Sequence, residues 1–212
     1  DEQAHNLTQW QQKYDQLSDG RFFGCIESVD YSNIHAFEEY TERALHQQCA
    51  IAPRSIWLGI PKQSQQSKIN GLDVASNQFM CRTSESNFEL ITPEQFNIYG
   101  LVIDTQSLEH MAQIQGMHLK NITSSGTERL TTCNAMLKSA RGIINSMVSN
   151  NAFGLNADLQ QDMLNMLALH LLNEQLPCQR IAPSYKHRKA VVDKVNQSMY
   201  NAKTFAILPK TQ

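Results

Sequence analysis

Apolar and polar positions along the chain follow three regimes. From Asp1 to Leu17, Leu7, Trp10, Tyr14 and Leu17 recur at spacings of three and four, a single apolar stripe that predicts a helix. Ser18-Asp19-Gly20 closes it, with Gly20 suited to a left-handed cap. From Arg21 to about Ile103 the period becomes two, and short apolar runs alternate with turn signals at Asp30–Asn33, Ala52–Arg54, Ser67–Gly71, Ser84–Asn87 and Thr92–Glu94. Strands are predicted around Ile51, Ile56–Ile60, Phe79–Arg82, Phe88–Ile91 and Ile98–Ile103, which suits a barrel or sandwich.

The densest part of this β region runs from Arg21 to Pro61. Phe23, Cys25, Val29 and Tyr31 share one face of a candidate strand, interrupted by Glu27. In the next strand Ile34, Ala36, Glu38 and Tyr40 point one way, and His35, Phe37, Glu39 and Thr41 the other. Two carboxylates therefore sit among aromatics on opposite faces. Whichever faces an enclosed interior costs several kcal/mol unless it is paired, so it is a ligand group or an internal salt-bridge partner.

Beyond Asp104 the period is helical. Leu108, Met111, Ala112 and Gln115 mark a short helix, and Glu128–Ser149 a longer one through Leu130, Cys133, Leu137, Ile144 and Met147. Asn156 is placed to cap a third helix, running to Leu176, with Asp158 in its first turn. Its apolar arc, Leu159 through Leu172, is much wider than one stripe, so it needs neighbours on most sides. It is either a core helix within one subunit or a dimer interface. Pro177 stops it, and Pro183-Ser184 opens a last helix with a basic cluster at Lys186, His187, Arg188 and Lys189.

Composition narrows the function classes. With 212 residues, a net charge of −2 and a pI near 6.4, the chain can bury a sizeable core and is not a nucleic-acid surface throughout. No apolar run is long enough to span a membrane. The five cysteines are widely spaced and form no Cys-x-x-Cys pair, which fits free thiols in a reducing cytoplasm. No phosphate loop, Gly-x-Ser-x-Gly or His-Glu-x-x-His occurs, and Glu38-Glu39 on opposite faces cannot share acid–base work. An enzyme is not expected.

Several segments, in order, are similar to the sensor half of AraC/XylS-family transcription regulators: Trp10-Gln11-Gln12, Tyr14–Leu17, Glu39-Tyr40-Thr41, Ala44-Leu45, Trp57, Gly59-Ile60-Pro61, Phe88-Glu89-Leu90, Thr92-Pro93 and Gly100. The likeness covers residues 7 to 104 well and the helical remainder in pattern. It implies an α+β chain: an N-terminal helix and cupin-like β-barrel (1–104) sensing an effector, a helical dimerisation segment (105–182), and a connector helix (183–212) toward a helix-turn-helix domain beyond Gln212. The implied partners are a small-molecule effector, a second copy of the chain, and DNA through that further domain. Leu159, Met163, Met166 and Leu167 are then the dimer contacts, and Lys186, Arg188 and Lys189 candidate phosphate contacts. The family members most alike imply a small amine such as ethanolamine, for which Glu39, Glu89, Trp57, Tyr40 and Tyr99 are the candidate ligands. Cupins often hold a metal on histidines, but His35 and His46 have no third histidine before His110, so neither a metal nor another cofactor is expected.

Overall fold

The computed structural model describes residues 10–117, 119, 128–149 and 154–173. The strands are β1 (Trp10–Gln16), β2 (Gly24–Asp30), β3 (Ile34–Thr41), β4 (Leu45–Ile51), β5 (Ser55–Pro61), β6 (Ser67–Ile69), β7 (Leu72–Val74), β8 (Gln78–Thr83), β9 (Phe88–Thr92), β10 (Phe96–Asp104) and β11 (Arg129–Thr131). The helices are α1 (Thr105–Ile114), α2 (Asn134–Val148) and α3 (Ala157–Asn173). The strands form two antiparallel sheets, ordered β1-β4-β9-β6-β7 and β11-β8-β5-β10-β3-β2. No pairing among the described residues joins the two sheets, so the expected closed barrel is instead a pair of facing sheets.

The central strands β5 and β10 are buried on both faces, and each face has its own core. Inward, between the sheets, lie Trp10, Phe37, Trp57, Phe88, Phe96 and Ile98 with their neighbours. Outward from the six-stranded sheet, Ile34, Ala36, Leu58, Ile60, Leu101 and Ile103 pack on Leu108, Leu137, Ile144, Leu164 and Ala168 of the helices. The order is thus five-stranded sheet, six-stranded sheet, helices. Sheets and helices belong to one compact unit, Asp1–Pro177.

The helical stripe predicted for Asp1 to Leu17 is, from Trp10 to Gln16, the strand β1, paired residue by residue with β4. Trp10 and Tyr14 are four apart, a spacing that fits both a helical face and one strand face. Pairing with β4 decides for the strand, because Trp10, Gln12 and Tyr14 then all point between the sheets. The predicted turn Ser67–Gly71 is a hairpin: Asn70 (φ 47°) and Gly71 (φ 76°) are the two left-handed residues joining β6 to β7. Glu128–Thr132 precedes the second helix instead of opening it. Its residues 129–131 pair with β8, and α2 starts at Asn134 with the Cys133 sulfur accepting from the Met136 amide. The face of β2 read as half-buried is so at one end: Val29 and Tyr31 pack against the helix–sheet core, while Cys25 and the preceding Phe23, 57% exposed, lie open.

Other readings match the structure. Asn156 Oδ1 accepts from the Leu159 amide at 2.8 Å at the head of α3, and Asp104 caps α1 through Ser107. The connector helix, with Lys186, Arg188 and Lys189, lies outside the described residues.

The middle of the six-stranded sheet carries paired glycines, Gly59 opposite Gly100. A Cβ on Gly100 would lie 2.1 Å from the Phe37 ring, and one on Gly59 would lie 2.3 Å from the Trp57 ring. The absence of side chains there lets the two rings lie flat on the sheet. Trp57 then stacks on Phe88 at 5.0 Å, and Trp10 reaches both Phe37 and Trp57.

Candidate functional site

The phase of β3 is fixed by its neighbours: Phe37 opposes Gly100, and Glu39 opposes Ile98. Glu39 therefore points between the sheets, where it is 4% exposed. Strand β1 supplies its partners from the facing sheet. Tyr14 donates its hydroxyl to the Glu39 carboxylate, the Gln12 amide donates to both Tyr14 Oη and, at 3.2 Å, Glu39 Oε1, and the Trp10 indole donates to Gln12 Oε1 at 2.7 Å. Burial, then the negative charge of Glu39, pushes the Tyr14 pKa far above its ordinary value, so the phenol stays a donor. Burial and the same carboxylate also raise the nearby Cys49 thiol.

Around this carboxylate the interior offers further polar atoms. Gln47 stands opposite Tyr14 on β4, and its Oε1 is buried without a hydrogen bond. Thr41 and Thr92 turn their hydroxyls into the same interior, also without one. Leaving such groups unmet costs about 1–3 kcal/mol each, so they are unlike the parts of a core kept for stability. A carboxylate, an amide oxygen and hydroxyl oxygens are all acceptors, the complement of an ammonium group with three N–H donors.

Of the five residues expected to share the site, only Glu39 and Trp57 face the inter-sheet space, and Trp10 and Phe37 pack between them. Tyr99 and Tyr40 lie on the other face of the six-stranded sheet, in phase with Glu38. Glu89 lies on the outer face of the five-stranded sheet, 3.8 Å from His46 and over a third exposed. Gln12, Tyr14 and Gln47 were missed. The alternation Trp10-Gln12-Tyr14-Gln16 was the available signal.

The far face of β3 is also covered, so Glu38 is enclosed as well. It accepts from Lys62 Nζ at 2.6 Å and from the Asn97 amide at 2.7 Å. Burial works to lower the Lys62 pKa, but hydrogen bonds to Glu38 and Tyr99 outweigh it and the ammonium is held above its usual range. Tyr99 continues to Asn145 of α2 at 2.9 Å, and Arg141 of α2 donates to the Pro61 carbonyl at 2.9 Å. Two adjacent carboxylates thus serve two environments: Glu39 the inter-sheet space, Glu38 the helix contact.

His35 also points inward and is 1% exposed. Its Nδ1 lies 2.6 Å from Asp30 Oδ1. No group of three histidines, cysteines or acidic residues among the described residues is placed to hold a metal ion. A separate open groove of about 490 Å³ runs between residues 64–66, Asp73–Ser76, Gln78 and Arg129, and none of the predicted site residues lines it.

On α3, Leu159 is 46% exposed, Met163 and Met166 are half-buried against the helix–sheet core, and Leu167 is buried within its own subunit. The wide apolar arc is thus largely consumed inside one chain. No described helix is long and apolar enough to cross a membrane.

No family model matches the sequence. Among solved structures, the AraC-like transcriptional activator CuxR superposes with a TM-score of 0.55 at 10% identity, over 92% of this chain and 74% of that one. At the level of fold, this chain is built like an AraC-like activator. Weaker likenesses are ToxT from Vibrio cholerae O395 (TM-score 0.36, 10% identity, 70% of this chain and 54% of that one) and the cupin domain of Schizosaccharomyces pombe Cnp3 (TM-score 0.32, 8% identity, 47% and 74%).

Proposed function

We propose that this chain is the effector-sensing part of an AraC-type transcription regulator, and that its effector is a small primary amine of the ethanolamine kind. The observation that carries the reading is the buried Glu39 carboxylate, surrounded by inward acceptors that lack donors. An ammonium group would donate a charge-assisted hydrogen bond to Glu39 and others to Gln47 Oε1 and Thr41 Oγ1, replacing part of what Tyr14 and Gln12 supply. Because those two belong to the other sheet, a ligand that competes for Glu39 alters how the sheets hold together. That is the differential contact a two-state sensor needs. A fold like that of an AraC-like activator across nearly the whole chain supports the regulatory reading.

The reading is of a binding domain and not an enzyme, since Glu38 and Glu39 serve opposite faces and share no substrate. DNA would be read by a helix-turn-helix domain joined to this unit. Two copies would associate through the exposed Leu159 edge of α3 with Met163 and Met166, and a Met163→Asp variant would sediment as a monomer where the parent sediments as a dimer. The cytoplasm suits the four described cysteines, all free thiols.

Titration calorimetry with ethanolamine, 2-aminopropanol and propylamine tests the effector. Heat is expected with the parent chain, and at least a tenfold loss of affinity in Glu39→Gln. No heat with any of the three removes the amine reading.

A further inference from the structure

The seam between the two sheets at their β7 and β11 edges is held mainly by side chains, and we propose that it is the entrance to the inter-sheet space, with Glu128 and Arg129 as its clasp. The chain crosses between the sheets here through the short turn of residues 75–77. Gln78 fixes that turn, its backbone N–H donating to the Ala75 carbonyl and its Oε1 accepting from the Ala75 amide, both at 2.9 Å. Away from the turn, no backbone hydrogen bond among the described residues joins β6 or β7 to β8 or β11.

Residues 128–132 lie along β8 through their backbone. The Cys81 amide donates to the Glu128 carbonyl at 3.2 Å, the Thr132 amide donates to the Asn77 carbonyl at 3.1 Å, and Arg129 opposes Met80. Two side chains of this segment reach the other sheet. Glu128 Oε1 accepts from the Asn70 side-chain amide at 2.6 Å, and Arg129 Nη1 donates to the Asp73 carbonyl. Asn70 is itself anchored: its backbone N–H donates to the Glu89 carbonyl and its Oδ1 accepts from the Glu89 amide, both at 2.9 Å. Arg82 of β8, 3.6 Å from Glu128 Oε1, adds a further join by lying over the Phe88 ring of β9 at 5.8 Å.

Space lies directly outside this clasp. The open groove of about 490 Å³ is walled by Gln65, Gln66, Val74, Gln78 and Arg129. Val74 also belongs to the inter-sheet core, and Met80, opposite Arg129, is fully buried in it. Parting Arg129 from Asp73 therefore connects the groove with the interior. This edge opens at less cost than the other. β6, β7 and β11 have three residues each, so few ladder bonds hold them. When the seam parts, Glu128 and Arg82 return to water together, and their hydration offsets the attraction they lose. The β1 side is closed instead by Trp10 against Phe37 and Trp57.

The entrance serves the amine reading above and in that sense rests on it, but its first test needs no ligand. Hydrogen peroxide oxidises a methionine only where it reaches the sulfur. Met80 lies behind the clasp, and Met147, buried in the helix–sheet core, is the control for general unfolding. Glu128→Gln keeps the shape and an acceptor for Asn70 while removing the charge beside Arg82. Peptide mapping of the peroxide-treated full chain is expected to show Met80 oxidised about fivefold faster in this variant than in the parent, with Met147 unchanged within about twofold. Asn70→Gly keeps the left-handed turn, removes the side-chain amide, and should act the same way. Equal acceleration of both methionines would overturn the proposal, because the variants would then only loosen the whole fold. So would a Met80 rate unchanged in both variants. In stopped flow, ethanolamine should enter and leave Glu128→Gln faster than the parent at a similar Kd; unchanged rates would overturn the entrance and leave the amine reading intact. Ethanolamine that does not bind at all removes the amine reading and leaves the entrance to be decided on Met80.

Discussion

The two faces of the six-stranded sheet are built from the same strands to different specifications. The helix-facing side is aliphatic and continuous, with Ile34, Leu58, Ile60, Leu101 and Ile103 all at or below 4% exposure and packed on leucines and alanines. Its polar contacts are few, Glu38 with Lys62 and Asn97 and Tyr99 with Asn145, and its buried oxygens without a partner are Asn97 Oδ1 and Asn165 Oδ1. The inward side shares a core of five large aromatics, two of them from the other sheet, with a carboxylate, an imidazole, an amide and hydroxyls, several of them with an unmet hydrogen-bonding atom. One side is arranged to stay shut. The other keeps binding capacity at some expense in stability, as functional sites do.

Four measurements would break or sharpen this contrast. The largest effect belongs to the closed side. Leu101→Ala should cost about 2–5 kcal/mol in urea unfolding, since it empties a fully buried position between sheet and helices. A loss under about 1 kcal/mol would mean that face is loosely packed. Next comes the seat of the inward aromatics. Gly100→Ala should cost about 1–3 kcal/mol, because its Cβ meets the Phe37 ring at 2.1 Å and the ring must leave the sheet. An unchanged near-ultraviolet circular dichroism spectrum in that variant would remove the argument for a fitted seat.

Third is alkaline stability. Burial pushes the Cys81 thiol, on the helix-facing side, up to about 12 from 9.0. A group raised on folding contributes stability that is complete below its unfolded value and is lost as pH climbs through the folded one. Stability should therefore fall from about pH 9 toward 12, with Cys49 and Tyr14 acting in the same direction, and Cys81→Ala should flatten part of that slope whatever it does to the level. The smallest effect is on the inward side. Thr92→Val removes a buried hydroxyl that has no partner and keeps the shape, so it should be neutral or stabilising by up to about 1 kcal/mol. A clear destabilisation would show that the hydroxyl serves the fold.

How far each region could be read from sequence follows from whether local pattern alone set its phase. Strand β3 carries its own alternation, so the opposition of Glu38 and Glu39 was legible, and so was the separation of Tyr40 from Glu39. Phe88-Glu89-Leu90 already placed Glu89 away from its apolar neighbours, and the grouping of Glu89 with Glu39 disregarded that. Tyr99 is different. β10 is buried on both faces, so nothing in it marks a side, and only its register against Glu38 places the phenol with the helices. β1 was misread because a spacing of four serves two periods. The three-residue strands β6 and β7 are too short to show a period, although Asn70-Gly71 was a sufficient turn signal.

The Trp10–Trp57 contact has an optical consequence. Two indoles with ring centroids 5.0 Å apart and planes inclined by 54° do not absorb independently. Their transition dipoles couple, and because the rings are neither parallel nor perpendicular the coupled pair is chiral. It gives paired circular-dichroism bands of opposite sign whose size depends steeply on separation. One ring is carried by the five-stranded sheet and the other by the six-stranded sheet. The molecule therefore contains a native gauge of the distance between its sheets, readable without a dye or an engineered label.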